Sequence, residues 1–150
     1  MGIKDKLFED MKRAAKEKNK LRLSIIRLAL AGLQNREKEL RRELSDEEII
    51  QGILGMVKKS RESIEQFKVG QRDDLVAKEE NEIEILQSFL PQQLSTEELE
   101  VEISRALEEA GASTTKDMGK VMKILMPRIA GRAEGRVVNE LVRKRLSVNQ

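Results

Sequence analysis

Ser45-Asp46-Glu47-Glu48-Ile49-Ile50-Gln51-Gly52-Ile53-Leu54-Gly55-Met56-Val57 decides the fold class. Its first four residues form a capping box: the Ser45 hydroxyl can accept from a first-turn amide while Glu48 reaches back to the Ser45 amide. The apolar residues that follow, Ile49, Ile53, Val57 and Ile64, recur at helical spacing. The same spacing runs through Ile3, Leu7, Met11 and Ala14, and through Leu75, Ile83, Leu86 and Leu90 with Glu79 as an interruption. No segment alternates with period two, so the chain reads as all-α.

Stop and start signals divide it into seven helices. Asn19 and Lys20 separate a first helix from a second over about 21–42, and Gly70 stands where a left-handed glycine would end the third. Asp73 or Asp74 opens a fourth, which Pro91 ends. A second capping box, Ser95-Thr96-Glu97-Glu98, starts a fifth helix that Gly111 closes. Ser113 to Thr115 can cap a sixth, and Gly131 separates it from a seventh near 134–146. Long helices joined by short turns favour antiparallel hairpins. The expected organisation is therefore an N-terminal bundle of antiparallel helices over 1–90, then a C-terminal three-helix unit over 95–147.

Composition excludes much chemistry. The 150 residues contain no Cys, His, Trp or Tyr, so thiolate nucleophiles, zinc–thiolate sites, imidazole bases and Ser-His-Asp triads are absent. The cluster Glu79, Glu80, Glu82 and Glu84 lacks the histidines of a di-iron bundle and reads as a solvated helix face. Gly119-Lys120 lacks the earlier glycine and the following Ser or Thr of a phosphate-binding loop. No catalytic residue, metal or cofactor is expected. The charged start from Met1 to Phe8 and the absence of a long apolar run argue against a signal peptide and a membrane span, and point to a cytoplasmic protein.

Charge is unevenly distributed. Residues 1–45 are net +6, 46–90 net −5, 91–115 net −5 and 116–150 net +6, although the whole chain is only +2. Either oppositely charged helices neutralise one another, or the basic C-terminal stretch faces phosphates. At ~100° per residue, Lys116, Lys120 and Lys123 fall within about 60° of one another, opposite Met118, Val121, Met122, Leu125 and Ile129. The methionine stripe reads as core packing. Gly119 within a helix costs on the order of 1 kcal/mol against Ala, which close approach of a neighbouring helix, or of a phosphate backbone, would offset. Pro127 should kink or end the helix. Arg128, Arg132 and Arg136 follow at four-residue spacing, with Gly131 and Gly135 leaving the backbone unobstructed; they suit either phosphate contact or a solvated basic turn.

The run from Gly111 to Gly135, with Asp117-Met118-Gly119-Lys120-Val121-Met122, Met126-Pro127 and Gly131-Arg132-Ala133-Glu134-Gly135, resembles the signature of the GatB/YqeY family. So does the connector Phe89-Leu90-Pro91-Gln92-Gln93-Leu94-Ser95, and so does the opening pattern from Met11 to Asn35 with Arg27 and Leu33-Gln34-Asn35. The resemblance implies two all-α parts, the second shared with the tail of the B subunit of tRNA-dependent amidotransferases, which helps hold tRNA. The positions it carries over are Lys116, Gly119, Lys120, Gly131, Arg132 and Asn139. Glu134 departs from the family's frequent Asp before the last helix, and its longer side chain is a weaker cap.

Three functions follow. The first is a non-catalytic module binding tRNA through Lys116, Lys120, Lys123, Arg128, Arg132 and Arg136, with Gly119, Pro127, Gly131, Gly135 and Asn139 shaping the motif. With so few aromatics, contacts should be to phosphates and folded shape, and about three to five of them would give a log–log salt slope of roughly −2 to −4. The second, by family name alone, is a component of a carbon–nitrogen ligase with glutamine as amido donor, active only with amidotransferase-like or aminoacyl-tRNA-related partners. The third is a protein-interaction adaptor using the N-terminal helices.

Overall fold

The computed structural model describes residues 2–148. Seven α-helices appear in the order α1 (Ile3–Lys16), α2 (Lys20–Leu40), α3 (Asp46–Val69), α4 (Asp73–Gln87), α5 (Thr96–Ala110), α6 (Met118–Ile129) and α7 (Gly135–Ser147), with a 3-10 turn at Thr115–Asp117 before α6. There is no strand among the described residues, so the all-α reading stands. The chain packs as two compact units, Met1–Leu90 and Pro91–Gln150.

In the first unit α1 to α4 surround one core, with Leu7, Ile26, Ile49, Ile53 and Val57 at its centre. Each such side chain contributes roughly 1.5–3 kcal/mol by leaving water. The helix starts are chemically fixed. Asn19 accepts from the Arg22 amide at 3.2 Å, and the Ser45 box closes both ways, at 3.2 Å from the Glu48 amide and 3.0 Å to the Glu48 carboxylate. Arg22 pairs with Asp10 and lies over the Phe89 ring at 5.6 Å, which ties α1, α2 and the end of α4 together.

Several sequence expectations are corrected. α2 runs from 20 to 40 and stops two residues earlier than anticipated, where Arg41 turns left-handed at φ 57°. Gly70 is right-handed (φ −80°), and Gln71 beside it takes the positive φ of 57°. The Gln71 amide then bonds the Lys68 carbonyl at 3.1 Å, so hydrogen bonding sustains a conformation that sterics would assign to glycine.

The second unit packs α5, α6 and α7 around Leu99, Ile103, Val121, Leu125, Ile129, Val138, Val142 and Leu146. The Ser95–Glu98 box caps α5, and Gly111 ends it at φ 61°, as the sequence indicates. Pro127 does not end α6, which continues to Ile129 before Ala130 leaves the helix. No helix among the described residues is long and apolar enough to cross a membrane.

Candidate nucleic-acid interface

The segment before α6 is built around one carboxylate. Asp117 accepts from the amides of Ser113 (2.9 Å) and Thr114 (3.3 Å), and these bonds, with a smaller contribution from Lys120, hold its carboxyl below the usual range. The tight turn this creates places Lys116 in the 3-10 segment rather than in α6 itself. Lys116, Lys120 and Lys123 are all exposed, and none takes part in an ion pair among the described residues. On the other side of α6, Met118, Met122 and Met126 pack partly buried against the core, as befits a gap-filling stripe.

Gly119 requires a correction. A Cβ there would meet nothing within 4 Å among the described residues, so no packed neighbour calls for the glycine. It is the second residue of α6, not an interior one, where the cost of glycine is smaller. Gly135 is the first residue of α7 and is equally open, whereas Gly131 is buried and left-handed at φ 77°, a conformation that excludes a side chain at little strain. Glu134 makes no side-chain cap hydrogen bond to α7. Asn139 is exposed on that helix.

The arginines do not join the lysines. Spacing of four residues makes a common face only along an unbroken helix, and the turn at 130–134 interrupts it. Arg128 reaches back to Glu109 of α5 at 2.5 Å, and Arg136 lies 3.8 Å from Glu140 on its own helix. Arg145, which the sequence reading passed over, bonds Glu100 at 3.0 Å and Ser104 at 3.1 Å. Two carboxylates of acidic α5, Glu109 and Glu100, thus meet guanidinium groups of α6 and α7, while Lys120 and Lys123 of α6 take no part in these pairs.

Arg132 has a structural role that depends on Gln93. The Gln93 side-chain amide donates to the Pro91 carbonyl (2.9 Å) and the Gly131 carbonyl (2.7 Å). The Leu94 amide donates to the Arg132 carbonyl at 2.8 Å, and Arg132 Nε donates to the Gln92 carbonyl at 3.1 Å. The connector and the α6–α7 turn are therefore one hydrogen-bonded clamp. These are two of the three stretches that carried the family resemblance, forty residues apart.

A family model described as "Yqey-like protein" matches residues 4–146. The chain belongs to the YqeY-like family. Similar proteins, all named "Altered inheritance of mitochondria protein 41, mitochondrial", include one from Pyrenophora tritici-repentis, 32% identical over 142 residues that cover 94% of this chain and 77% of the relative. One from Lachancea thermotolerans is 34% identical over 106 residues, 69% of this chain and 57% of the relative. One from Saccharomyces cerevisiae is 30% identical over 94 residues, 62% of this chain and 51% of the relative. The match thus spans only a little over half the length of the latter two. The mitochondrial names of these YqeY-like relatives overturn the cytoplasmic expectation. That expectation rested on the charged stretch from Met1 to Phe8 and the lack of a long apolar run, neither of which distinguishes the cytoplasm from the mitochondrion.

Among the described residues no group of three or more Asp or Glu is placed to hold a metal ion. Half-buried Glu82 is pushed up, by burial first and by the neighbouring Glu79 charge second, so part of the acidic cluster on α4 is less solvated than its sequence suggests.

Proposed function

We propose that the second unit of this YqeY-like protein binds folded RNA, transfer RNA foremost, through Lys116, Lys120 and Lys123, and breaks no bonds by itself. The observation that carries the reading is the division of cations: Arg128, Arg136 and Arg145 lie against carboxylates, while Lys116, Lys120 and Lys123 are exposed and form no ion pair among the described residues. Lysine ammonium groups neutralise phosphates without a fixed register, and the near-absence of aromatic side chains leaves no platform for unpaired bases. Phosphate contacts and overall shape are what such a face can recognise. Amidotransferase-like or aminoacyl-tRNA-related proteins are the natural company for such a module, and any amide transfer would be the work of those partners.

Three phosphate contacts give a log–log salt slope of about −2 to −3, so affinity for tRNA should fall about 15- to 60-fold between 50 and 200 mM salt. The combined Lys116→Glu, Lys120→Glu and Lys123→Glu variant should lose most of this affinity and nearly all of its salt dependence, with helicity by circular dichroism unchanged. Wild-type affinity and slope in that variant would reject the lysine face. Glutamine-dependent amidation of mischarged tRNA by the isolated protein would reject the non-catalytic reading.

A further inference from the structure

α2 has two unlike sides. Ile25, Ile26, Ala29, Leu30 and Leu33 are buried in the core of the first unit. On the opposite side Leu21, Ser24, Leu28 and Ala31 recur at alternating spacings of three and four, the pattern of a coiled-coil seam, and all four are exposed. Leu28 is 66% exposed. With Lys20, Leu23 and Arg27, Ser24 and Leu28 line a shallow cleft of about 370 Å³. Lys20 and Arg27 stand seven residues apart along one edge of the seam, and neither forms an ion pair among the described residues. Nearby on α1 and α2, Lys4 pairs with Glu37 and Arg22 with Asp10.

We propose that this face of α2 docks an amphipathic helix of a partner protein whose apolar stripe is edged by Asp or Glu. Ser24 and Ala31 are small enough to let another helix backbone approach, Leu21 and Leu28 supply apolar area, and Lys20 and Arg27 select the acidic edge. RNA would leave the leucines without a partner. A second copy brings no anion, because residues 20–31 contain neither Asp nor Glu. The inference stands on the first unit and is independent of the lysine face of α6.

The test uses the full chain and a fluorescein-labelled synthetic helix about 20 residues long, with Leu and Ala at the seam positions and Glu beside them, followed by anisotropy. Saturable binding is expected. Leu28→Asp, at an exposed position and verified as folded by circular dichroism, should weaken it by about tenfold or more. Arg27→Glu should weaken it as well, and a version of the peptide edged by Lys should recover affinity for that variant. The proposal is overturned by absence of saturation, by equal binding to the Leu28→Asp protein, by displacement of the peptide with tRNA in a manner that depends on Arg27, or by a dimer of the chain alone that Leu28→Asp dissociates in sedimentation.

Discussion

Gln93→Glu is the sharpest perturbation of the clamp between the connector and the α6–α7 turn. The substitution keeps the side chain's size and replaces a group that donates to two carbonyls, at 2.9 and 2.7 Å, with a carboxylate that can donate to neither. Each lost hydrogen bond removes about 1 kcal/mol, and a carbonyl left facing a half-buried anion adds a desolvation and repulsion cost, for a total of about 2–3 kcal/mol. Hydrogen exchange at the amides of Ile103, Val121 and Val138, in the core of the second unit, reports the opening that this clamp resists. Those amides should exchange about 30- to 150-fold faster in the variant. The sign of the pH dependence follows from the same geometry. Facing two carbonyl oxygens, the new carboxyl has a folded-state pKa above its unfolded value near 4.3, so the variant keeps its stability below about pH 4 and loses it as pH rises through the higher value. A change smaller than about threefold at neutral pH would refute the account of the clamp.

Three further expectations accompany it. Gly111→Ala should destabilise the chain by about 1–2 kcal/mol in denaturant unfolding, because φ is 61° there although space for the methyl group is open, whereas Gly119→Ala, helical and equally open, should be neutral or stabilising by up to about 1 kcal/mol. If Gly119→Ala also weakens tRNA binding, the glycine serves close approach of the RNA rather than the fold. The Glu48 carboxyl is held down to about 2, first by Arg42 and then by the Ser45 amide, so its contribution is present above about pH 4.5 and is lost as pH falls toward 2; Glu48→Gln should flatten that part of the stability profile measured by circular dichroism.

How much could be read from the chain depended on the range of the interaction. The capping boxes at Ser45 and Ser95 and the left-handed Gly111 involve residues within four positions of one another, and the sequence displays them directly. The burial of Val121, Leu125 and Ile129 followed from periodicity. Gln71 was missed because a glycine next to it offered the cheaper left-handed site, and the choice between them is made by hydrogen bonds to Phe67 and Lys68 that close the end of α3. The turn around Asp117 was missed because a carboxylate accepting from two preceding amides resembles an ordinary first-turn acid in sequence. Arg132 looked like a phosphate ligand because its partner, the Gln92 carbonyl, lies forty positions away and is a backbone atom common to every residue. Gln93 carried a signal only through its place in a recognisable stretch. Arg128 and Arg145 could have been suspected from the acidity of α5, which needs a counter-charge from somewhere.

The separation of guanidinium from ammonium groups in the second unit has a consequence for selectivity. Planar forks are directional, and those of Arg128 and Arg145 are committed to Glu109 and Glu100; Lys116, Lys120 and Lys123 are exposed single charges on pliant stems that re-aim with little cost. A surface of that kind accommodates phosphates at many spacings and cannot by itself tell one tRNA from another. Under the RNA-binding proposal, discrimination among RNAs would fall to a companion molecule that inspects the bases.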